Sequence, residues 1–362
     1  MSITSSGSKQ IIRTTDPLNS EPPLGELVRD VITPVEWFYV RTHGTIPAID
    51  EDRFVLEVDG AVETPLRLTM RDLRSKFEKS TVMAALQCAG NRRTEMIAIA
   101  PVPGEVEWGS QAIGNATWSG ARLGDILRAA SPTPEGRHVA FLGADEIEKY
   151  GEIIGFGASI ETEKATADET LLAYEMNGLP LDAIHGFPLR SIVPGFIGAR
   201  SVKWLTKITV QAAESTNYYQ AKSYKVFPPD VRAETADWTS VPAIEAVALN
   251  AVICSPTDGA TLAQGPTTVA GYAIGGGGAP IERVEVSTDG GATWMRADLL
   301  GRPQMWGWTL WRARVDLATG DREIAARARD AQGNEQPSDP AELWNFKGYN
   351  FNARHKILVG VR

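Results

Sequence analysis

The last third of the chain, residues 244–362, consists of short apolar runs that are separated by turn residues. Runs at 245–252, 267–273, 283–287, 308–315 and 322–330 have the length and the spacing of strands. Several short strands in this arrangement predict an all-β sandwich of immunoglobulin-like size. The Cys–Trp–Cys pattern of antibody domains is absent from this sequence, so we expect a sandwich without their disulfide.

The preceding part of the chain alternates short strands with helices. Residues 54–58 have the pattern of a strand that ends at a turn. Residues 68–73 indicate a helix capped by Thr69, with Asp72 at its third position as in a capping box. The apolar spacing of residues 120–130 predicts a further helix. Mixed elements followed by strands alone predict an α+β chain.

Length and composition fit this division. The chain has 362 residues, of which 43% are hydrophobic and 22% are charged, as is ordinary for a globular protein with a sizeable core. We predict three segments, namely an N-terminal arm at 1–30, a mixed α/β domain at 31–240 and an immunoglobulin-like sandwich at 241–362.

The charge and hydropathy patterns exclude some classes of partner. The formal net charge of -9 argues against general nucleic-acid binding, which needs a basic surface. The sequence has no run of about 18 apolar residues, the length that spans a membrane. Its first residues lack the apolar stretch of a secretory signal. With Met1 taken as the natural start, we expect a cytoplasmic protein with no nucleic-acid and no membrane partner.

The two cysteines, Cys88 and Cys254, lie far apart and outside any Cys-x-x-Cys pair, which excludes a disulfide framework and a zinc ribbon. Cys88 is followed closely by Arg92 and Arg93, and adjacent cations favour the thiolate form that binds metals. Three interpretations stay open: a buried thiol, a ligand to a soft or high-valent metal, or a nucleophile with a histidine base. The candidate bases are His43, His138, His185 and His355.

Residues 86–93, Leu-Gln-Cys-Ala-Gly-Asn-Arg-Arg, resemble the cysteine segment of the sulfite oxidase family, which eukaryotic nitrate reductases share in near form. Residues 41–43, Arg-Thr-His, resemble the family's Arg-Asn-His segment with Thr in place of Asn. The resemblance covers residues 35–362, and the shared order of so many blocks argues against a chance match. Further matching blocks lie at 107–123, 172–178, 185–190, 198–204 and 344–346.

The resemblance implies that the mixed α/β domain is a sulfite-oxidase-like molybdopterin domain. It implies a molybdenum held by the dithiolene of one pterin cofactor without a nucleotide, with the Cys88 thiolate as the protein ligand. The pterin phosphate requires arginine, lysine and hydroxyl donors, and the matching residues are Arg190, Arg200, Ser201 and Lys203. Further implied cofactor contacts are His43, Asp145 and His185.

A sulfite site should be locally cationic, because fixed positive groups in a dry cleft bind a small oxyanion strongly. Two departures from the family pattern affect this site. Ser223 stands where the family often has Asp, and Lys347 stands where the family commonly has Arg. Lysine keeps the positive charge but lacks the planar guanidinium that binds an oxyanion through two hydrogen bonds. The residues that the resemblance places at the substrate are Arg41, Arg93, Trp108, Tyr224 and Lys347.

The expected activity is the oxidation of sulfite to sulfate, and the alternative is the reduction of nitrate or another small oxyanion. A cofactor-free interaction protein is a third hypothesis, which the phosphate-binding residues around 190–203 disfavour. The sequence has no Cys-x-x-Cys-His motif, so we expect no haem and a separate, unidentified electron acceptor. The C-terminal region implies a homodimer by resemblance alone.

Overall fold

We describe residues 10–362 of a computed structural model, so residues 1–9 of the predicted N-terminal arm lie outside the described residues. The strands of the first part are β1 Ile11–Thr15, β2 Leu18–Glu21, β3 Val40–Arg41, β4 Val55–Gly60, β5 Leu66–Thr69, β6 Lys79–Gln87, β7 Ile113–Arg122, β8 His138–Gly143, β9 Ile147–Lys149, β10 Glu152–Ile154, β11 Gly157–Glu161, β12 Leu171–Met176, β13 Leu179–Pro180, β14 Arg190–Ile192 and β15 Leu205–Gln211.

Two larger sheets form the first domain. One sheet has the strand order β11-β8-β15-β4-β5, and within it β15 runs parallel to β4 while the other neighbours are antiparallel. The second sheet has the order β13-β12-β7-β6, and β14 also pairs with β12. The arrangement confirms a mixed α/β first domain.

The helices of this domain are short. They are α1 Leu24–Leu27, α2 Met70–Lys76, α3 Arg93–Ile97, α4 Leu123–Ala130, α5 Thr162–Thr166 and α6 Tyr218–Ala221. The predicted capping box is confirmed, because the Thr69 hydroxyl accepts from the Asp72 amide while the Asp72 carboxylate accepts from the Thr69 amide. The predicted helix over 120–130 begins only at Leu123, since residues up to Arg122 are paired in β7 with two neighbouring strands.

Residues 10–30 of the predicted arm contain a paired hairpin. β1 pairs with β2, and β2 pairs in turn with β3, so that Asn19 lies opposite Arg41. The Asn19 side-chain oxygen accepts hydrogen bonds from the Arg41 guanidinium at 3.1 Å and from the Thr42 amide at 3.0 Å. The hairpin therefore helps to fix the position of Arg41.

The second part of the chain is β-rich, as the sequence predicted. Its strands form two sheets, with the orders β16-β18-β22-β21 and β17-β24-β23-β19-β20, around a core that includes Val284, Trp311 and Ile324. The strands are β16 Asn250–Ser255, β17 Thr261–Leu262, β18 Gly265–Ile274, β19 Ile281–Ser287, β20 Met295–Arg296, β21 Asp298–Leu300, β22 Thr309–Leu317, β23 Gly320–Asp330 and β24 His355–Val361.

The connection between the two parts differs from the predicted strand over 245–252. Residues 245–247 bond to the first domain, because the Ile197 amide donates to the Glu245 carbonyl and the Val247 amide donates to the Gly195 carbonyl. The strand therefore starts at Asn250, where pairing with β18 begins. Among residues 10–362, the longest α-helix is α4 with 8 residues, and none has the length and hydropathy of a membrane-spanning helix.

Candidate active site

The segment that carries Cys88 is a tight loop between β6 and α3. The Cys88 amide donates to the Ala112 carbonyl at 2.8 Å, and the Arg92 amide donates to the Gly109 carbonyl at 2.7 Å. Arg92 adopts a left-handed backbone conformation with φ of 68°, which is uncommon for a residue other than glycine. Such a conformation persists where the surrounding contacts hold it in place.

The second domain supplies several of those contacts. The Asn91 side chain donates to the Tyr272 hydroxyl at 3.0 Å and accepts from the Ala112 amide at 3.0 Å. Arg92 donates to the Asn250 side chain and to the Ala353 carbonyl, both at 2.7 Å. The conformation of the Cys88 loop therefore depends on packing between the two domains.

Cys88 lies at the wall of a pocket that brings together residues from distant parts of the sequence. The Cys88 side chain is 6% exposed, and its Sγ accepts a hydrogen bond from the Gly90 amide at 3.4 Å. The predicted site residues that line this pocket are Arg41, His43, Cys88, Asp145, His185, Arg190, Ser201, Lys203 and Tyr224.

Arg190, Ser201 and Lys203 form a buried cationic end of the pocket. The Arg190 guanidinium donates to the His185 carbonyl at 2.9 Å and to the Ser201 carbonyl at 3.1 Å. Burial lowers the pKa of Arg190 to about 10, and burial together with Arg190 lowers the pKa of Lys203 well below its usual value. The Lys203 ammonium donates to the Ile184 carbonyl at 2.8 Å, and within residues 10–362 neither cation forms an ion pair, so a bound anion would stabilise both.

Two histidines line the same pocket as neutral imidazoles. Burial, followed by the charges of Lys203 and Arg190, lowers the pKa of His185 to about 3. Burial and the charge of Arg41 lower the pKa of His43 well below its usual value. Nε2 of His43 lies 3.0 Å from the Tyr224 hydroxyl, so the imidazole orients that phenol toward the pocket.

The Cys88 thiol has opposing influences on its ionisation. Burial raises the pKa of Cys88, while the nearby charges of Arg41 and Arg93 oppose that rise. A buried thiol in this position stays protonated unless a cation binds to the sulfur directly. The interpretation of Cys88 as a free thiolate nucleophile is therefore disfavoured. A metal ion bound to the sulfur would supply the positive charge that stabilises the thiolate form.

Comparison with known proteins agrees with this geometry. Residues 43–219 match the family described as oxidoreductase molybdopterin binding domain, and residues 241–362 match the Mo-co oxidoreductase dimerisation domain. The sulfite oxidase of Arabidopsis thaliana is 40% identical over 96% of this chain and 93% of its own length. The chain belongs to the sulfite oxidase family. It is accordingly a molybdopterin-dependent oxidoreductase.

Two further similarities agree with membership of the sulfite oxidase family. The mitochondrial sulfite oxidase of Drosophila melanogaster is 42% identical over 95% of this chain, which spans 62% of that relative's length. The crystal structure of the sulfane dehydrogenase SoxCD from Paracoccus pantotrophus superposes with a TM-score of 0.81 at 26% identity. That similarity covers 98% of this chain and 86% of the SoxCD chain, so both domains share the family fold.

The pocket of this family member fits the phosphate and pterin of the cofactor. Nε2 of His185 and Nε of Arg190 are buried, and neither has a hydrogen-bond partner anywhere in residues 10–362. Buried polar atoms without partners are costly, and a polar ligand in the pocket would satisfy them. A cationic end, buried nitrogens without hydrogen-bond partners and one soft sulfur ligand are together the groups that a phosphorylated, metal-bearing pterin requires.

Arg200 and Trp108 do not line this pocket. Arg200 is fully buried and donates to the Ile244 carbonyl from Nε at 3.0 Å and from Nη2 at 2.7 Å. Its Nη1 atom is without a partner in the part of the chain that the structure describes. Trp108 is fully buried with its ring edge-on to Tyr39, at a centroid distance of 6.4 Å. Both residues lie behind the pocket wall, so the structure does not bring them into direct contact with its interior.

Arg93 and Lys347 also lie outside the pocket lining. Arg93 donates to the Gly348 carbonyl at 3.1 Å and to the Val106 carbonyl at 2.7 Å. The Lys347 ammonium forms an ion pair with Glu105 and lines a second, outer cleft with Tyr218 and Trp238. These two predicted substrate residues therefore sit beside the pocket rather than within it.

Sequence reasoning missed two residues of this region. Tyr39 lines the pocket and lies near Cys88, and burial followed by the Cys88 charge raises the pKa of its phenol. Glu105 pairs with Lys347 and lies 3.7 Å from Arg93. Tyr39 could have been suspected from its place two residues before Arg41. No sequence pattern predicts that Glu105 pairs with Lys347, because the two residues lie 242 positions apart.

Proposed function

We propose that this protein oxidises sulfite to sulfate at a molybdenum centre ligated by Cys88. The observation that carries the proposal is the pocket that Cys88 lines together with Arg41, Arg190 and Lys203, three cations that form no ion pair within the described residues. The named activities of the Arabidopsis and Drosophila relatives support sulfite as the substrate. In the overall reaction, sulfite and water give sulfate, two protons and two electrons.

The residues that would hold the cofactor follow from the geometry. Cys88 would bind the metal through its thiolate, and Arg190, Ser201 and Lys203 would hold the phosphate of a pterin without a nucleotide. The neutral rings of His43 and His185 would offer hydrogen bonds to the pterin, with Asp145 on the same wall. When bound, the molybdenum cofactor supplies the two-electron redox chemistry.

The chain's own residues would bind and orient the oxyanion. Burial disfavours the charge of Arg41, yet the nearby Tyr224 and Cys88 outweigh burial and raise the pKa of Arg41. Arg41 therefore remains a fixed cation beside Cys88 that can hold one oxygen of sulfite. The Tyr224 hydroxyl is aimed by His43 and can orient a second oxygen.

Reduction of nitrate is the second candidate, and one observation favours it. Lys347 forms its ion pair with Glu105, so its charge is already partly compensated. A weakly cationic outer rim suits a monoanion such as nitrate better than a dianion. The discriminating result is which of the two oxyanions changes the oxidation state of the bound metal.

We further propose that the protein acts as a homodimer and passes its electrons to a separate acceptor. The match of residues 241–362 to a dimerisation domain supports the dimer. Sedimentation of the purified protein at micromolar concentration tests it. A mass of two chains is expected, and a mass of one chain would refute the assembly.

Sulfite-dependent reduction of a one-electron dye by cofactor-loaded protein tests the activity. Cys88→Ser is expected to lose turnover by at least about a thousandfold, because a hydroxyl is a poor ligand for a soft metal site. Cys254→Ser is the matched control, since it makes the same change at a buried cysteine of the second domain. Wild-type turnover in Cys88→Ser would exclude ligation by Cys88.

A further inference from the structure

Glu105 is an acidic residue that faces two cations of the site. It lies between α3 and β7, and one carboxylate oxygen forms an ion pair with the Lys347 ammonium. The other oxygen lies 3.7 Å from Nη2 of Arg93. The side chains of Glu105 and Lys347 are 14% and 17% exposed, and that of Arg93 is 2% exposed. This is a largely buried cluster of two positive charges and one negative charge.

The cluster lies between the outer cleft and the pocket of Cys88. On its outer side, Lys347 lines the cleft. On its inner side, Arg93 and Lys347 lie 5.2 Å and 5.8 Å from the centroid of the Tyr349 ring. Tyr349 in turn stacks on Tyr224 at a centroid distance of 5.1 Å, and Tyr224 lines the inner pocket.

The negative charge of Glu105 acts on the inner pocket as well. Burial and the charge of Glu105 raise the pKa of the Tyr349 phenol, whose ring stacks on the pocket residue Tyr224. An anion that enters from the outer cleft therefore meets Arg93 and Lys347, whose positive charges already interact with the Glu105 carboxylate. To bind there, the anion must share those cations with Glu105 or displace it.

We propose that Glu105 is a built-in competing anion that sets the affinity and the charge selectivity of the oxyanion site. This inference rests on the proposed function, in which Arg41 and Tyr224 hold the oxyanion, and it extends the oxyanion site outward to Arg93 and Lys347. A fixed negative charge opposes a dianion with twice the Coulomb energy that opposes a monoanion at the same position. Glu105 thus disfavours dianions, sulfate and dianionic sulfite alike, relative to monoanions such as nitrate.

The scaling gives a quantitative expectation for Glu105→Gln, which removes the charge and keeps the shape. Because free energies are logarithms of affinities, the gain in affinity for a dianion should be the square of the gain for a monoanion. A gain of about threefold for nitrate then corresponds to about tenfold for sulfate.

The test is a calorimetric titration of oxidised, cofactor-loaded protein with sodium sulfate and with sodium nitrate at constant ionic strength. The loaded protein is used so that neither anion can occupy the phosphate end of the pterin pocket. Glu107→Gln is the matched control, since it removes the same charge from an exposed residue two positions away. We expect its affinities to stay within about twofold of wild type, as exposed charges are screened.

Equal gains for sulfate and nitrate in Glu105→Gln, or no gain for either, would overturn the inference. Equivalent gains in Glu107→Gln would do so too, because they would show an effect of net charge alone. If Glu105→Gln does not load cofactor, Glu105→Ala carries the test, because it removes the same carboxylate. Its gain for sulfate should again exceed its gain for nitrate, and equal gains would contradict the proposal.

Turnover measured on the same samples separates this inference from the proposed function. One outcome is that wild type does not oxidise sulfite, while Glu105→Gln gains more affinity for sulfate than for nitrate. The proposed substrate is then wrong, and the proposed role of Glu105 is supported. If wild type oxidises sulfite but Glu105→Gln binds both anions as wild type does, the competing anion alone is refuted.

Discussion

At the scale of single residues, the site is defined by cations that form no ion pair within residues 10–362. Burial lowers the pKa values of Arg190 and Lys203, which line the pocket together with His185 and its unsatisfied Nε2. An apoprotein carries this arrangement at a cost in stability. The arrangement is therefore best explained by an anionic ligand that compensates the charges.

Arg190→Gln is expected to retain at most about one tenth of the cofactor that wild type retains, because it removes one cation from the proposed phosphate site. Molybdenum content per chain after gel filtration measures the loss. Arg122→Gln is a suitable control, as Arg122 is 40% exposed and pairs only weakly with Asp168 at 3.8 Å. Normal molybdenum content in Arg190→Gln would remove this residue from the cofactor site.

Tyr224→Phe tests the orienting role of the phenol. The variant loses the hydrogen bond to His43, so we expect kcat to fall about tenfold or more while cofactor content stays at the wild-type level. Steady-state kinetics with sulfite and metal analysis of the same sample measure both quantities. A change in KM alone would show that Tyr224 binds substrate without orienting the reacting oxygen.

At the scale of elements, the Cys88 loop is held by the second domain. The Tyr272 hydroxyl accepts from Asn91 and donates to the Ser110 carbonyl at 2.8 Å, so β18 reaches both sides of the loop. This contact links the β-rich domain to Asn91, three residues after Cys88. The second domain therefore has a structural part in the site beyond any role in assembly.

Tyr272→Phe should destabilise the protein by about 1–3 kcal/mol, because it leaves the buried Asn91 amide and Ser110 carbonyl without that partner. Urea unfolding of the loaded protein measures the change. The same substitution at Tyr150, which is 84% exposed, should have almost no effect. Stability equal to wild type in Tyr272→Phe would mean that β18 does not hold the loop.

The elements also show what the sequence could predict and what it could not. The capping box at Thr69 and the strands β18, β19, β22 and β23 of the second domain were predictable, because their signals are local, whereas β24 at His355–Val361 was not predicted. The start of α4 was placed too early, since pairing of β7 on both sides overrides the helical pattern of residues 120–122. The Glu105–Lys347 pair joins segments 242 positions apart, and no local pattern encodes such a contact.

At the scale of the whole molecule, buried neutral histidines should make stability depend on pH. Burial lowers the pKa of His185 to about 3 and that of His355 to about 4, both below the unfolded value of 6.5. Below pH 6.5 the unfolded chain takes up protons that the folded chain does not, so stability falls as pH falls from about 7 towards 4.

Between pH 7 and pH 5, each such histidine should cost roughly 2 kcal/mol of unfolding free energy. Urea unfolding of the cofactor-free protein at the two pH values measures the loss. His185→Gln should show a loss smaller by about that amount, whereas His138→Gln, at a half-buried position, serves as the control. An unchanged pH dependence in His185→Gln would show that His185 is not neutral in the folded protein.

At this scale, the proposed activity depends on a metal that Cys88 ligates and that sulfite reduces. The most direct measurement is the visible absorption spectrum of loaded protein, before and after sulfite is added in the absence of oxygen. We predict a thiolate-to-molybdenum charge-transfer band that bleaches with sulfite and that is missing in Cys88→Ser. A band that persists with sulfite but changes when nitrate is added to the reduced protein would contradict sulfite oxidation, and a band retained in Cys88→Ser would contradict the metal site itself.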